Sequence, residues 1–163
     1  AVLFLNEYNL ENIPQKGTTF LKLVERLLKL GAPIEGIGTQ SHLNIEIPAG
    51  NITNFFRDAA SLGLPIHVSE LDCTLRTENR LDLRSQTDRI AAQGARVTEL
   101  ASAFAALPKA QQFAFTVWGL RDTDSWYRQG DKDDGRDKPL PFDSFGRPNP
   151  MAAAIAAGFK TPA

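Results

Sequence analysis

Two carboxylates and one imidazole are placed in the sequence so that they could form one catalytic group. Glu70 and Asp72 close the run "LPIHVSELD", and His42 falls near the end of an earlier run, "GIGTQSHL". A carboxylate that follows buried strand residues is costly unless it is paired or used. A histidine between two carboxylates can hydrogen-bond both, which would orient Glu70 and favour its charged form. A held, charged glutamate is suited to nucleophilic attack, although Glu70 alone fits a solvated strand-end acid equally well.

Aromatic and neutral polar residues accompany these three. Trp118 and Trp126 are the only tryptophans, and both fall at or just after the last apolar run. Core packing is the usual role of tryptophan, yet Trp126 lies in a stretch too polar to be core. An indole there can stack on the apolar face of a sugar ring. Gln40, Asn6 and Tyr8 add hydrogen-bonding groups that suit a ligand rich in hydroxyls.

A metal-dependent hydrolase is an alternative, with His42, Glu70 and Asp72 as ligands. The chain has only two histidines, so such a site would be poor in nitrogen. Cys73 lacks an obvious activating base and is expected to pack in the interior. We therefore expect neither a metal nor another cofactor.

Composition limits the classes of partner. The 163 residues suit one globular domain, and a formal net charge of -1 gives no electrostatic reason to expect nucleic acid or an anionic membrane. No apolar run approaches the roughly 18 residues that would cross a bilayer. The chain opens on "AVLFL", which reads as the inside of a strand. We expect that an N-terminal portion is lacking, and that any export signal is lost with it.

Four apolar runs alternate with helical patterns. The runs cover residues 2–8, 34–42, 64–71 and 113–118, and the predicted helices cover 18–30, 49–62, 84–107 and 150–157. Thr18 or Thr19 is the expected N-cap of the first helix. Such alternation indicates an α/β fold with a parallel sheet. The absence of a glycine-rich phosphate turn disfavours a nucleotide-binding doubly wound sheet, and polar residues at several strand ends favour a (β/α)₈ barrel.

Strand periodicity predicts which side chains face the barrel interior. Side chains alternate between the two faces of a strand. In the third run the predicted inward set is Ile66, Val68, Glu70 and Asp72. The same periodicity turns His67 and Ser69 towards the helices.

Five segments of the chain match one known pattern in order. They are "LFLNEYNLE", "GIGTQSHL", "IHVSELD", "TVWGLRDTDSW" and "KPLPFDSFGRPNPMAAAI". Together they resemble glycoside hydrolase family 10, the retaining endo-β-1,4-xylanases. The third resembles the nucleophile strand of that family and the fourth its tryptophan-bearing last strand. The departures are Glu7, where the family usually has Asp, and Ser69, where it usually has Thr.

The resemblance implies a role for each candidate residue. Glu70 would be the nucleophile, and His42, supported by Asp72, would contact it; these three form the predicted catalytic set. The predicted substrate-binding residues are Gln40, Trp118, Trp126, Asn6 and Tyr8.

The resemblance also implies what the chain lacks. It would be one partial catalytic domain over residues 1–163, the C-terminal half of a TIM barrel, with strands five to eight and their helices. The family's general acid/base glutamate lies in a motif resembling "WDVVNE", which does not occur here. The implied partners are xylan or xylo-oligosaccharides and the missing N-terminal half, from the same protein or a second chain. The implied location is outside the cell. A non-catalytic carbohydrate-binding half-barrel is the other alternative.

Overall fold

A parallel sheet backed by helices makes up the fold. The computed structural model describes residues 1–78, 81–130, 133 and 135–161. Over these residues the strands are β1 (Phe4–Glu7), β2 (Gly36–Thr39), β3 (His42–Asn44), β4 (Ile66–Thr74) and β5 (Gln112–Val117). The helices are α1 (Pro14–Lys29), α2 (Asn51–Ala60), α3 (Gln86–Ala105) and α4 (Pro150–Lys160). β1 pairs with β2, the two ends of β4 pair with β2 and β3, and β5 also pairs with β4.

The second predicted strand is broken into β2 and β3. Ser41 lies in the break with a φ of 57°, in the left-handed region that few side chains adopt. Its hydroxyl donates to Glu11 Oε1 at 2.7 Å, and the Thr39 hydroxyl donates to the same oxygen at 2.6 Å. This buried polar cluster stabilises the unusual backbone, and the chain then resumes the strand at His42.

Three helix starts differ from the predicted ones, and α2 begins at Asn51, two residues later than predicted. α1 begins at Pro14, because proline suits a first turn where no amide donor is needed. Thr18 and Thr19 lie inside the helix, where their hydroxyls donate to the carbonyls of Pro14 and Gln15, so neither is the N-cap. α3 begins after Ser85, whose side chain forms a capping box with Asp88.

The hydrophobic core lies between the sheet and the helices. Val68 and Leu71 of β4 are fully buried in one cluster with Val97 and Leu100 of α3. Each such side chain contributes about 1.5–3 kcal/mol through removal of apolar surface from water. None of the helices in the described ranges has the length and apolarity needed to cross a membrane.

The predicted alternation along β4 is wrong. Ile66 and Val68 face the helices, whereas His67 lies on the opposite face, with its ring 6.0 Å from that of Phe4 and 5.4 Å from that of Phe113. The pairing of β4 with β5 is irregular between Val68 and Leu71. A bulge of this kind turns consecutive side chains to one face.

The bulge therefore explains how Ser69 and Glu70 share a face. Both contact the side chain of Asn6, through Ser69 Oγ to Asn6 Oδ1 at 3.1 Å and Asn6 Nδ2 to Glu70 Oε1 at 3.4 Å. Ser69 thus faces away from the helices, contrary to the prediction.

Candidate active site

A carboxylate–imidazole–carboxylate row occupies the C-terminal edge of the sheet. His42, the first residue of β3, lies opposite Asp72 in the β3–β4 register. Its Nδ1 is 3.0 Å from Asp72 Oδ1, and its Nε2 is 3.5 Å from Glu70 Oε2. The first distance is a good hydrogen bond and the second a looser polar contact. The histidine bridges the two acids and fixes their relative positions.

Asp72 is held on both of its oxygens. Its side chain has no exposed surface, and Oδ2 accepts a hydrogen bond of 2.8 Å from the indole Nε1 of Trp126. A buried carboxylate is tolerated only when donors satisfy it, and His42 and Trp126 are those donors. Trp126 follows Asp72 by 54 positions, so this contact depends on the tertiary fold.

The electrostatics of the pair follow from burial and proximity. Burial, the largest influence, lowers the pKa of the His42 imidazole, but the hydrogen bond and charge of Asp72, with help from Glu70, give a net increase above its usual value. Burial raises the pKa of Asp72, and the bonds from His42 and Trp126 oppose that rise. The geometry favours an ionic pair in which His42 readily carries a proton on the side that faces Asp72.

Two side chains contact the carboxylate of Glu70, one on each oxygen. Asn6 Nδ2 contacts one carboxyl oxygen at 3.4 Å, and His42 contacts the other. Its amide donates to the carbonyl of Gln40 at 3.1 Å, which fixes the backbone at the bulge. The side chain retains 16% exposure, so a ligand in the open edge of the sheet can reach it.

The predicted substrate-binding residues surround this row at different distances. The rings of Trp126 and Trp118 lie 5.7 Å and 6.5 Å from the His42 ring, and both indoles are about half exposed. Gln40 is half-buried between β2 and β3. Tyr8 is exposed, and the Lys16 ammonium lies 3.6 Å from the centre of its ring.

His42 and Trp126 line a groove with a volume of about 1040 Å³. Tyr8 lines it, together with residues that the sequence analysis did not select: Asn9, Asn12, Glu46, Arg76, Thr77 and Tyr127. Asn12 Nδ2 donates to the His42 carbonyl at 3.1 Å and to Asn9 Oδ1 at 2.7 Å, so it also anchors the start of β3. The asparagine-rich string "NEYNLEN" was the available signal for this contribution.

Glu11 is a further residue that the sequence analysis missed. It is almost completely buried behind the site, and burial raises the pKa of its carboxyl despite the bonds from Thr39 and Ser41. Since Ser41 directly precedes His42, Glu11 supports the backbone that carries the imidazole.

The metal-binding alternative finds no support in the donor geometry. Both ring nitrogens of His42 already face carboxylate oxygens. Within the part of the chain that the structure describes, no group of three or more histidine, cysteine, aspartate or glutamate residues is arranged to hold a metal ion.

A parallel β/α sheet that presents a held glutamate and exposed indoles at its C-terminal edge is typical of barrel enzymes that act on sugars. Comparison with known proteins supports this class. The model of glycosyl hydrolase family 10 matches residues 1–158. Endo-1,4-beta-xylanase A of Caldicellulosiruptor saccharolyticus is 36% identical over 152 residues, which cover 91% of this chain and 44% of that protein.

Solved structures agree with the sequence comparison. A thermostable mutant of the xylanase Xyn10A from Cellvibrio japonicus superposes with a TM-score of 0.85 at 28% identity, over 98% of this chain and 50% of that one. A family 10 structure from Paenibacillus barcinonensis gives 0.81 at 31% identity, over 99% and 47%.

The chain belongs to glycosyl hydrolase family 10, and its fold is part of a TIM barrel; both predictions are confirmed. It spans about half the length of these two structures and less than half that of the C. saccharolyticus relative.

Proposed function

We propose that the whole protein is a retaining endo-β-1,4-xylanase and that this chain supplies its nucleophile, Glu70. The observation that carries the proposal is the bridging of Glu70 and Asp72 by His42, at 3.5 and 3.0 Å. A nucleophile must be held in one orientation with a free lone pair towards the anomeric carbon. Asn6 and His42 provide that orientation, and Asp72 acts as a positioning residue through His42.

The reaction needs a second carboxyl group in addition to Glu70. Retaining hydrolysis uses two carboxyl groups about 5–5.5 Å apart. Asp72 is a poor substitute, because both of its oxygens are already hydrogen-bonded. We assign the general acid/base to the N-terminal half of the barrel, which contributes the fourth strand in this family.

The proposed reaction has two steps. The acid in the other half protonates the leaving oxygen of a β-1,4 link while a Glu70 oxygen attacks the anomeric carbon, and this forms a glycosyl ester. The same group then takes a proton from water, which attacks the anomeric carbon and releases Glu70 with the sugar configuration retained. Trp118, Trp126 and Gln40 would line the subsites on the non-reducing side of the cut, with Asn6 and Tyr8 near the same sugar.

The face of the sheet opposite the helices supports the proposal that another half-barrel covers it. Phe113 is 52% exposed there, and its ring packs against those of Phe4 and His67. The residues that precede β1 also expose apolar surface, at Val2 and Leu3. Contiguous exposed apolar residues of this kind mark a surface that another part of a protein buries.

The test is to assay the rigorously purified 163-residue chain on xylan, alone and joined to the N-terminal half of a family 10 barrel. We expect turnover only from the completed barrel. Turnover by the isolated chain at the level of a full-length relative would contradict the need for a second half. By the same family membership we infer that the whole protein acts outside the cell.

A non-catalytic carbohydrate-binding half-barrel is the second candidate, and the half-exposed indoles of Trp118 and Trp126 favour it. Replacement of Glu70 by alanine separates the two. A binder keeps most of its affinity for xylo-oligosaccharides, whereas the completed enzyme loses nearly all of its turnover.

A further inference from the structure

A second concave site adjoins the groove. It has a volume of about 550 Å³, within the range of small-molecule sites. It lies between the β4–α3 loop and the segment that precedes residue 139. Its charged lining residues are Arg76, Arg84, Arg89, Arg136, Lys138 and Asp137. Five cations and one carboxylate therefore share one cavity, and we call it the basic pocket.

Two of these cations are fixed before any ligand arrives. Asp82 forms ion pairs with Arg84 at 2.8 Å and with Arg89 at 3.2 Å. Each guanidinium also donates to a main-chain carbonyl, that of Ile45 for Arg84 and that of Leu75 for Arg89. Side chains that are already ordered lose little further entropy when a ligand binds.

The carboxylate in the lining does not neutralise the pocket. Asp137 is nearly fully buried, and its oxygens accept from the Thr74 hydroxyl and the Leu75 amide and pair with Arg76 at 3.5 Å. Among the described residues, no ion pair within 4.0 Å is found for the ammonium group of Lys138. Asp82 and Asp137 offset two of the five positive charges, so among the described residues the lining keeps an excess of positive charge.

The basic pocket borders the groove, because the Arg76 side chain lines both. A main chain that lies in the groove beside His42 and Trp126 can thus direct a branch towards the cations. We propose that the basic pocket binds the carboxylate of a uronic acid branch on the xylan chain. Guanidinium groups match a carboxylate with two parallel hydrogen bonds, which an unbranched neutral xylan cannot offer. This inference rests on the proposed function, since it assumes a xylan chain in the groove.

The experiment compares binding of two oligosaccharides of equal length by calorimetry, one neutral and one with a single glucuronic acid branch. The protein is the 163-residue chain, with Lys138→Gln and Arg136→Gln as pocket variants. Lys22→Gln, an exposed change on α1, is the matched control for lost charge. We expect the branch to tighten binding about 10-fold, as charge-assisted hydrogen bonds allow. We expect both pocket variants to lose most of that preference and the control to keep it.

Each outcome separates this inference from the proposed function. Equal affinity for the two oligosaccharides overturns the inference and leaves xylan binding intact. A preference that survives both pocket variants also overturns it. Failure of both ligands to bind the 163-residue chain overturns the inference but not the proposed function, because turnover is expected only from the completed barrel. Binding of the branched ligand alone, abolished by Lys138→Gln, supports the pocket and counts against the groove. Free glucuronate that binds as tightly as the branched oligosaccharide would reduce the pocket to a general anion site and overturn the inference.

Discussion

Replacement of His42 by alanine should reveal how strongly the buried pair depends on its imidazole. Asp72 has no exposed side-chain surface, and the change removes its 3.0 Å partner while leaving the 2.8 Å bond from Trp126. Removal of one partner from a buried ion pair costs about 3–5 kcal/mol. Since His42 itself is 17% exposed and one donor to Asp72 survives, we expect a loss near the lower end, about 3 kcal/mol at neutral pH.

The pH dependence of that loss identifies its cause. Burial raises the pKa of Asp72 in the folded protein, so the folded variant binds more protons than the unfolded chain between the two pKa values. Its stability therefore rises as the pH falls, and the deficit of His42→Ala should shrink under acid conditions. Urea unfolding at neutral and acid pH measures this.

His67→Ala is the matched control, because His67 contacts Thr116 and aromatic rings and has no ion pair within 4.0 Å among the described residues. The reasoning fails if His42→Ala costs less than about 1 kcal/mol, or if the two variants show equal losses at both pH values.

Two further predictions test the electrostatics and the helix packing. The chain has two histidines, which NMR titration can distinguish. We expect His42 to have the higher pKa, because Asp72 raises it, and His67 the lower pKa, because burial lowers it. The reverse order would contradict the pairing of His42 with Asp72. While Asp72 stays ionised, the stabilisation from His42 is complete below the unfolded pKa of histidine, about 6.5, and is lost as the pH rises through the raised folded value. Gly158→Ala should cost about 1–3 kcal/mol in thermal unfolding, because the new Cβ would lie 2.5 Å from that of Ala101 on α3. A Cβ added at Gly94 would have no atom within 4 Å, so Gly94→Ala should stabilise the fold by about 0.5–1 kcal/mol. Equal changes in stability for the two variants would refute the packing argument.

The strand-end residues were predictable because their signal is local. An apolar run followed by Glu70 and Asp72 is visible in nine consecutive letters, and parallel strands bring their carboxyl ends to one edge. The proximity of His42 to both acids follows from that rule. The β/α alternation came from the same local patterns, although helix bounds shifted by several residues where Pro14 and Ser85 set the first turns.

What the sequence did not reveal depends on distant parts of the chain. The bulge at Ser69 and Glu70 arises from the register between β4 and β5, which no local alternation encodes, so periodicity placed His67 on the wrong face. The break at Ser41 depends on a buried carboxylate 30 positions earlier. The bond from Trp126 to Asp72 likewise requires the long loop after β5 to fold back over the sheet.

The most direct test of Glu70 as the nucleophile is to trap the glycosyl ester. A 2-fluoro xylobioside with an activated aryl leaving group needs little protonation to depart, and the fluorine slows the release of the sugar. Treatment of the completed barrel, followed by peptide mass mapping, should find one xylobiosyl group on Glu70 and none on the Glu70→Gln variant. A label on Asp72 or any other carboxylate, or a label that persists in Glu70→Gln, would contradict the account.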